Sequence, residues 1–193
     1  MEKRCELCPR RCGVRRDLGE RGVCRMGNEI RVCRAALHPF EEPCISGTRG
    51  SGTVFFAGCS LGCIFCQNRD IRDPHAGRVL SEAELGEVFL ALQAAGAHNI
   101  NLVTPTHYAD RIVAALGAVK ERLQIPVVYN CGGYERVETL QKLEGLVDIY
   151  LPDFKYIDPV LAKSYSAAPD YAEFATAALA EMVRQVGDRK SVV

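Results

Sequence analysis

Cys59, Cys63 and Cys66 stand in the pattern C-x3-C-x2-C within Gly58-Cys59-Ser60-Leu61-Gly62-Cys63-Ile64-Phe65-Cys66. Three thiolates on one loop can ligate three corners of a cubane iron–sulfur cluster. Closed electron-transfer clusters take four cysteines, so this set leaves one iron open to a non-protein ligand. An open metal position marks a catalytic rather than a structural site. The competing chemistry is zinc, which needs a fourth ligand nearby such as His75.

Cys5, Cys8, Cys12 and Cys24 give a second pattern, C-x2-C-x3-C-x11-C. Four thiolates suffice for a closed site, either tetrahedral zinc or a second cluster, and the spacing leaves that choice open. Cys33 and Cys44 are alternative fourth ligands, although each alone reads better as an inert buried thiol. Cys131 reads as a small buried hydrophobe. Nine of the ten cysteines precede residue 67. With a polar start, Met1-Glu2-Lys3-Arg4-Cys5, and no secretory signal, thiolate–metal chemistry is the better reading than a disulfide scaffold.

The chain has 193 residues, 48% apolar and 25% charged, ordinary values for a globular protein with a sizeable core. Lys+Arg and Asp+Glu are 24 each, which gives no indication of a nucleic-acid or membrane partner. No apolar run reaches the roughly 18 residues of a transmembrane helix, and a cytoplasmic location is expected. The sequence divides into a Cys-rich, loop-rich metal-binding module over 1–48 and an α/β core over 49–193.

In the core, Thr53-Val54-Phe55-Phe56-Ala57 reads as a buried strand between glycines. Ser81-Glu82-Ala83-Glu84 forms a capping box, and Leu85, Val88, Phe89 and Leu92 mark one helix face. Strands are expected over 99–103, 126–129 and 147–151, and helices around Ile112 to Val119, over 135–143 and over 171–185, the last stopped by Gly187. Alternating strands and helices imply a parallel sheet with chemistry at the strands' C-terminal ends. The segments there are 58–68, 104–108, 130–134 and 152–156.

The cysteine triplet after the first strand, with Phe65 just before its third cysteine, resembles the radical S-adenosylmethionine (SAM) superfamily. Cys5-Glu6-Leu7-Cys8-Pro9, Glu42-Pro43-Cys44-Ile45-Ser46-Gly47, Asn101-Leu102-Val103-Thr104-Pro105-Thr106-His107 and Asp148-Ile149-Tyr150-Leu151-Pro152-Asp153-Phe154-Lys155 extend the likeness. Together they resemble a branch similar to pyruvate formate-lyase-activating enzymes. The resemblance implies a partial (β/α) barrel and a [4Fe–4S] cluster on Cys59, Cys63 and Cys66 with SAM on the open iron. It also implies an oxidoreductase that takes one electron from a low-potential donor and releases a 5′-deoxyadenosyl radical. Hydrogen abstraction would follow, with a protein as a candidate substrate.

The resemblance places Phe65 beside the adenine. Activating enzymes carry Gly-Gly-Glu after the second strand, where this chain has Thr104-Pro105-Thr106-His107 and no glutamate. Thr104, Thr106 or His107 would supply those contacts, with a structural hydrogen bond as the alternative role for His107. Asp153 and Lys155 match the family's Asp-x-Lys near the SAM ribose and carboxylate; a strand-end ion pair is the alternative. Asn130, Gly132 and Gly133 stand where backbone would approach a ligand. His38 is expected to be structural, and Arg10, Arg11, Arg15 and Arg16 a solvated surface.

Relatives of this type continue through two more βα units, so the chain is expected to be C-terminally short: a truncated product, a fragment or half of a dimer. Two readings result. One is a radical SAM enzyme; the other is a non-catalytic iron–sulfur or zinc module that keeps the metal sites.

Overall fold

A computed structural model describes residues 4–187; residues 1–3 and the closing run 188–193, where no terminal strand is expected, lie outside the described residues. Six strands share one sheet: β1 (Ile30–His38), β2 (Ser51–Phe56), β3 (Arg78–Leu80), β4 (Ile100–Val103), β5 (Val127–Cys131) and β6 (Ile149–Pro152). Their spatial order is β3-β1-β2-β4-β5-β6. Strands β2, β4, β5 and β6 run parallel, the β/α pattern expected from the sequence. All four residues of β4 are buried, because a parallel strand is covered on both faces.

The helices are α1 (Pro43–Ser46), α2 (Glu82–Ala94), α3 (Ala109–Val119), α4 (Val137–Leu140), α5 (Pro159–Ser166) and α6 (Tyr171–Val186). Leu85 and Phe89 of α2 and Ile112 of α3 bury completely in one core with Val54, Phe56 and Leu102 of the sheet. Each such side chain contributes about 1.5–3 kcal/mol of transfer free energy. A second apolar cluster packs the cysteine loop against the last two helices, through Leu61, Cys63, Tyr134, Tyr156, Ala162 and Tyr171.

The capping box at α2 forms as read. Ser81 Oγ accepts from Glu84 N–H at 3.2 Å, and Glu84 Oε2 accepts from Ser81 N–H at 2.8 Å. Ser81→Ala is expected to cost about 1 kcal/mol, seen as a lower urea midpoint at unchanged slope.

Four elements differ from the sequence reading. β1 lies inside the segment read as loops, antiparallel to β2, and β3 pairs antiparallel to β1 at the sheet's edge. The register of β1 slips between Val32 and Arg34, so its alternation of apolar and polar residues breaks midway. α5 was not expected; Asp158 caps it by accepting from Val160 N–H at 2.6 Å, with Pro159 in the first turn. The helix expected over 135–143 starts only at Val137, and a 3-10 turn completes it.

Candidate iron–sulfur and SAM site

The loop after β2 turns sharply at Gly58, whose φ is +81°. A Cβ there would stand 2.4 Å from Met26 Cγ and 2.7 Å from the Cys24 carbonyl oxygen, so only glycine fits. Beyond it, the loop's own carbonyls are tied down. Arg72 donates to Cys63 O at 2.8 Å, Arg69 to Ile64 O at 2.9 Å and Arg10 to Ser60 O at 2.9 Å. Gly62 N–H points at Cys59 Sγ at 3.4 Å, and Ser166 Oγ, on α5, lies 3.0 Å from Cys63 Sγ. Burial pushes the Cys59 thiol up, against the pull of the Gly62 and Leu61 amides.

Cys59, Cys63 and Cys66 line one cleft of about 590 Å³ at the C-terminal ends of the parallel strands. Phe65, Thr104, Thr106, Asn130, Asp153 and Lys155 line it too, so the structure brings these sequence-selected residues together. Thr104 has φ +60°, a left-handed conformation uncommon for a β-branched residue and typical of backbone strain held at a functional site. Lys155 Nζ and Asp153 Oδ2 form an ion pair of 2.5 Å. Gly133 has φ +75°, and a Cβ there would come 2.4 Å from Asp153 O. The close approach is thus to the end of β6. Tyr171 OH ties the same strand ends together, 2.8 Å from both Gly132 O and Asp153 O.

His107 lies apart from these. It is not on the cleft wall: its ring is fully buried and donates from Nε2 to Ala57 O at 2.7 Å. Burial lowers its pKa to about 4, so it stays neutral, and its Nδ1 is buried without a partner. Two of the four arginines, Arg10 and Arg16, also depart from a solvated surface, while Arg11 is exposed as expected. Arg10 lies over the Tyr134 ring at 5.3 Å, and Arg16 donates to His107 O at 2.6 Å. His38 makes edge contacts with Phe40 and Phe55, and Cys131 is buried in the core, as read.

Two carboxylates in the cleft were missed. Glu41 Oε2 accepts from both Asn101 Nδ2 and Asn130 Nδ2, each at 2.9 Å. It follows β1, in the stretch read as loops, where nothing in the sequence singled it out. Glu135 is 1% exposed; its Oε1 accepts from Thr106 Oγ1 at 2.5 Å and its Oε2 from Tyr129 OH at 3.3 Å. Burial pushes its carboxyl up to about 7 despite those hydrogen bonds. Its signal was positional, since it directly follows the polar strand-end segment 130–134.

All ten cysteines are free. Cys8 and Cys24 are buried, Cys5 and Cys12 half-buried. Among the described residues no group of three or more His, Cys, Asp or Glu is arranged to hold a single metal ion. No helix among them is long and apolar enough to cross a membrane.

A three-thiol loop on a strand-end cleft, in this β/α order, defines a radical SAM domain. The sequence model described as the radical SAM superfamily matches residues 53–187, and the chain belongs to that superfamily. Its members use a [4Fe–4S] cluster and SAM, and the donor set here fits that group: three cysteines line one cleft that aromatic, amide and carboxylate residues line too. The chain is 32% identical over 178 residues to an uncharacterized protein, MJ0674, of Methanocaldococcus jannaschii, covering 88% of this chain and 50% of that protein. It is 38% identical over 65 residues to a 7-carboxy-7-deazaguanine synthase of Methanothermobacter thermautotrophicus, covering 33% of this chain and 26% of that one. The chain therefore spans half the length of the first relative and less of the second.

Proposed function

We propose that this chain binds a [4Fe–4S] cluster through Cys59, Cys63 and Cys66 and cleaves SAM reductively in the adjoining cleft. The observation that carries the reading is that all three cysteines line one cleft together with the strand-end polar residues. When bound, the cluster supplies one electron to the SAM sulfonium, giving methionine and a 5′-deoxyadenosyl radical that abstracts hydrogen.

The protein's share is to bind, orient and exclude water. Phe65, with its ring edge-on to Tyr156 and Tyr165 at 6.2 and 6.1 Å, offers a flat apolar surface for the adenine. Asp153 and Lys155 offer opposite charges at the end of β6 for ribose and carboxylate. Glu41 brings a carboxylate to the cleft in a chain that lacks Gly-Gly-Glu, and Asn101 and Asn130 fix its orientation. We assign it the SAM ammonium. The resemblance to activating enzymes supports a protein as the hydrogen donor.

Anaerobic reconstitution with iron and sulfide, then dithionite and SAM, tests the proposal. The expected result is 5′-deoxyadenosine and methionine in equal amounts. A cluster spectrum unmoved by SAM, with no 5′-deoxyadenosine, would overturn it and leave the non-catalytic module. Glu41→Gln is expected to weaken SAM binding by about tenfold or more, since a charge-assisted hydrogen bond is worth roughly 1.5–3 kcal/mol; equilibrium dialysis reads it.

A further inference from the structure

The N-terminal cysteines form a group of their own. Cys8 and Cys24 each sit in a tight turn. Arg11 N–H bonds Cys8 O at 3.0 Å, and Arg25 N–H bonds Gly22 O at 2.8 Å. The residues after the turns take left-handed backbone, with φ of 40° at Arg11 and 67° at Arg25.

Two of the sulfurs meet across Gly22. A Cβ on Gly22 would lie 3.0 Å from Cys12 Sγ and 3.7 Å from Cys24 Sγ. Cys5 N–H bonds Val14 O and Gly13 N–H bonds Cys5 O, each at 3.0 Å, which sets Cys5 beside the Cys12 turn. Arg16 Nη2 donates to Cys24 Sγ at 3.1 Å, a cation placed to offset thiolate charge. Cys8 is 5% exposed yet belongs to neither apolar cluster, so packing alone does not account for it.

The group is also joined to the first cysteine loop. Arg10 reaches Ser60 O at 2.9 Å and Leu61 O at 3.3 Å. Cys24 and Cys59 line one groove of about 300 Å³. From the other side, Arg136 donates to Glu6 O at 2.6 Å and Thr139 to Leu7 O at 2.8 Å, docking the Cys5–Cys8 segment on α4.

We propose that Cys5, Cys8, Cys12 and Cys24 hold a second iron–sulfur cluster, closed by four thiolates and packed against the loop that carries Cys59 and Cys63. Tetrahedral zinc would draw the sulfurs to about 3.8 Å from one another, from bonds of about 2.3 Å. A four-iron cluster spreads its ligands wider, and it carries sulfide where zinc carries none. Four thiolates leave no iron open, so this cluster exchanges electrons rather than binding substrate. The site is independent of whether SAM is cleaved.

The test is metal and sulfide analysis of the full chain reconstituted anaerobically. With Cys59, Cys63 and Cys66 all replaced by alanine, the chain is expected to keep about four iron and about four sulfide. One zinc without sulfide, or no metal, overturns the proposal. Should that variant fail to fold, the native chain is expected to hold about eight iron, falling to about four in Cys8→Ser/Cys24→Ser with the SAM-shifted electron resonance signal retained. About four iron in the native chain, or no fall in the double variant, also overturns it.

Discussion

Cys63→Ala is expected to abolish 5′-deoxyadenosine formation, by more than the roughly 10–100-fold that loss of an outer partner costs a metal site. Cys63 is the least exposed of the three cysteine residues, at 6%, and packs among Leu61, Tyr156 and Tyr171. Its loss removes one of the three thiolates that would ligate the cluster. Ser166→Ala is the informative contrast. Ser166 Oγ lies 3.0 Å from Cys63 Sγ and 2.7 Å from Tyr156 OH. A donor on a cluster sulfur favours the electron-rich state, so its loss should make the cluster harder to reduce. We expect Ser166→Ala to retain iron and sulfide, to show a more negative midpoint potential, and to lose about tenfold in turnover. Equal loss of iron in both variants would mean that Ser166 supports the loop's fold rather than the cluster's potential.

What the sequence disclosed followed local rules. The cysteine spacing, the capping box at Ser81 and the apolar runs of β2, β4, β5 and β6 each carry their signal within a few residues. What it concealed depends on distant partners. β1 was hidden because its slip after Val32 moves Arg34 opposite Phe55 and scrambles the alternation. β3 has only three residues and is defined by its pairing with Ile30, Arg31 and Val32. Arg10 and Arg16 look like surface charge until their carbonyl partners, Ser60 and His107, are in place. Ser166, Glu41 and Glu135 belong to the same class. Their roles arise where separate segments meet, and no spacing in the chain announces them. His107 shows the converse, since its position after β4 suggested a ligand contact that burial against Ala57 denies.

Glu135 carries the second large expectation, a stability that falls as pH rises through neutrality. Its carboxyl titrates at about 7 in the folded chain against an ordinary 4.5, chiefly because burial disfavours the charge. Between those values the folded chain keeps a proton that the unfolded chain has released. The stabilisation is therefore intact below pH 4.5 and declines as pH rises through about 7. The full effect is on the order of 3 kcal/mol. Glu135→Gln keeps a carbonyl acceptor for Thr106 Oγ1 and has no proton to lose. In urea titrations with reductant present, the variant and native midpoints should lie close at pH 5 and separate by pH 8.5, the variant then being the more stable. Coincident midpoints at both pH values would show that the native carboxyl ionises without cost. The same group faces the cleft, where a bound cation such as SAM would favour its ionised form. SAM affinity should then rise with pH through about 7 in the native chain and stay level in Glu135→Gln. The carboxyl that weakens the fold at high pH is, on this account, the one that strengthens its hold on a cationic ligand there.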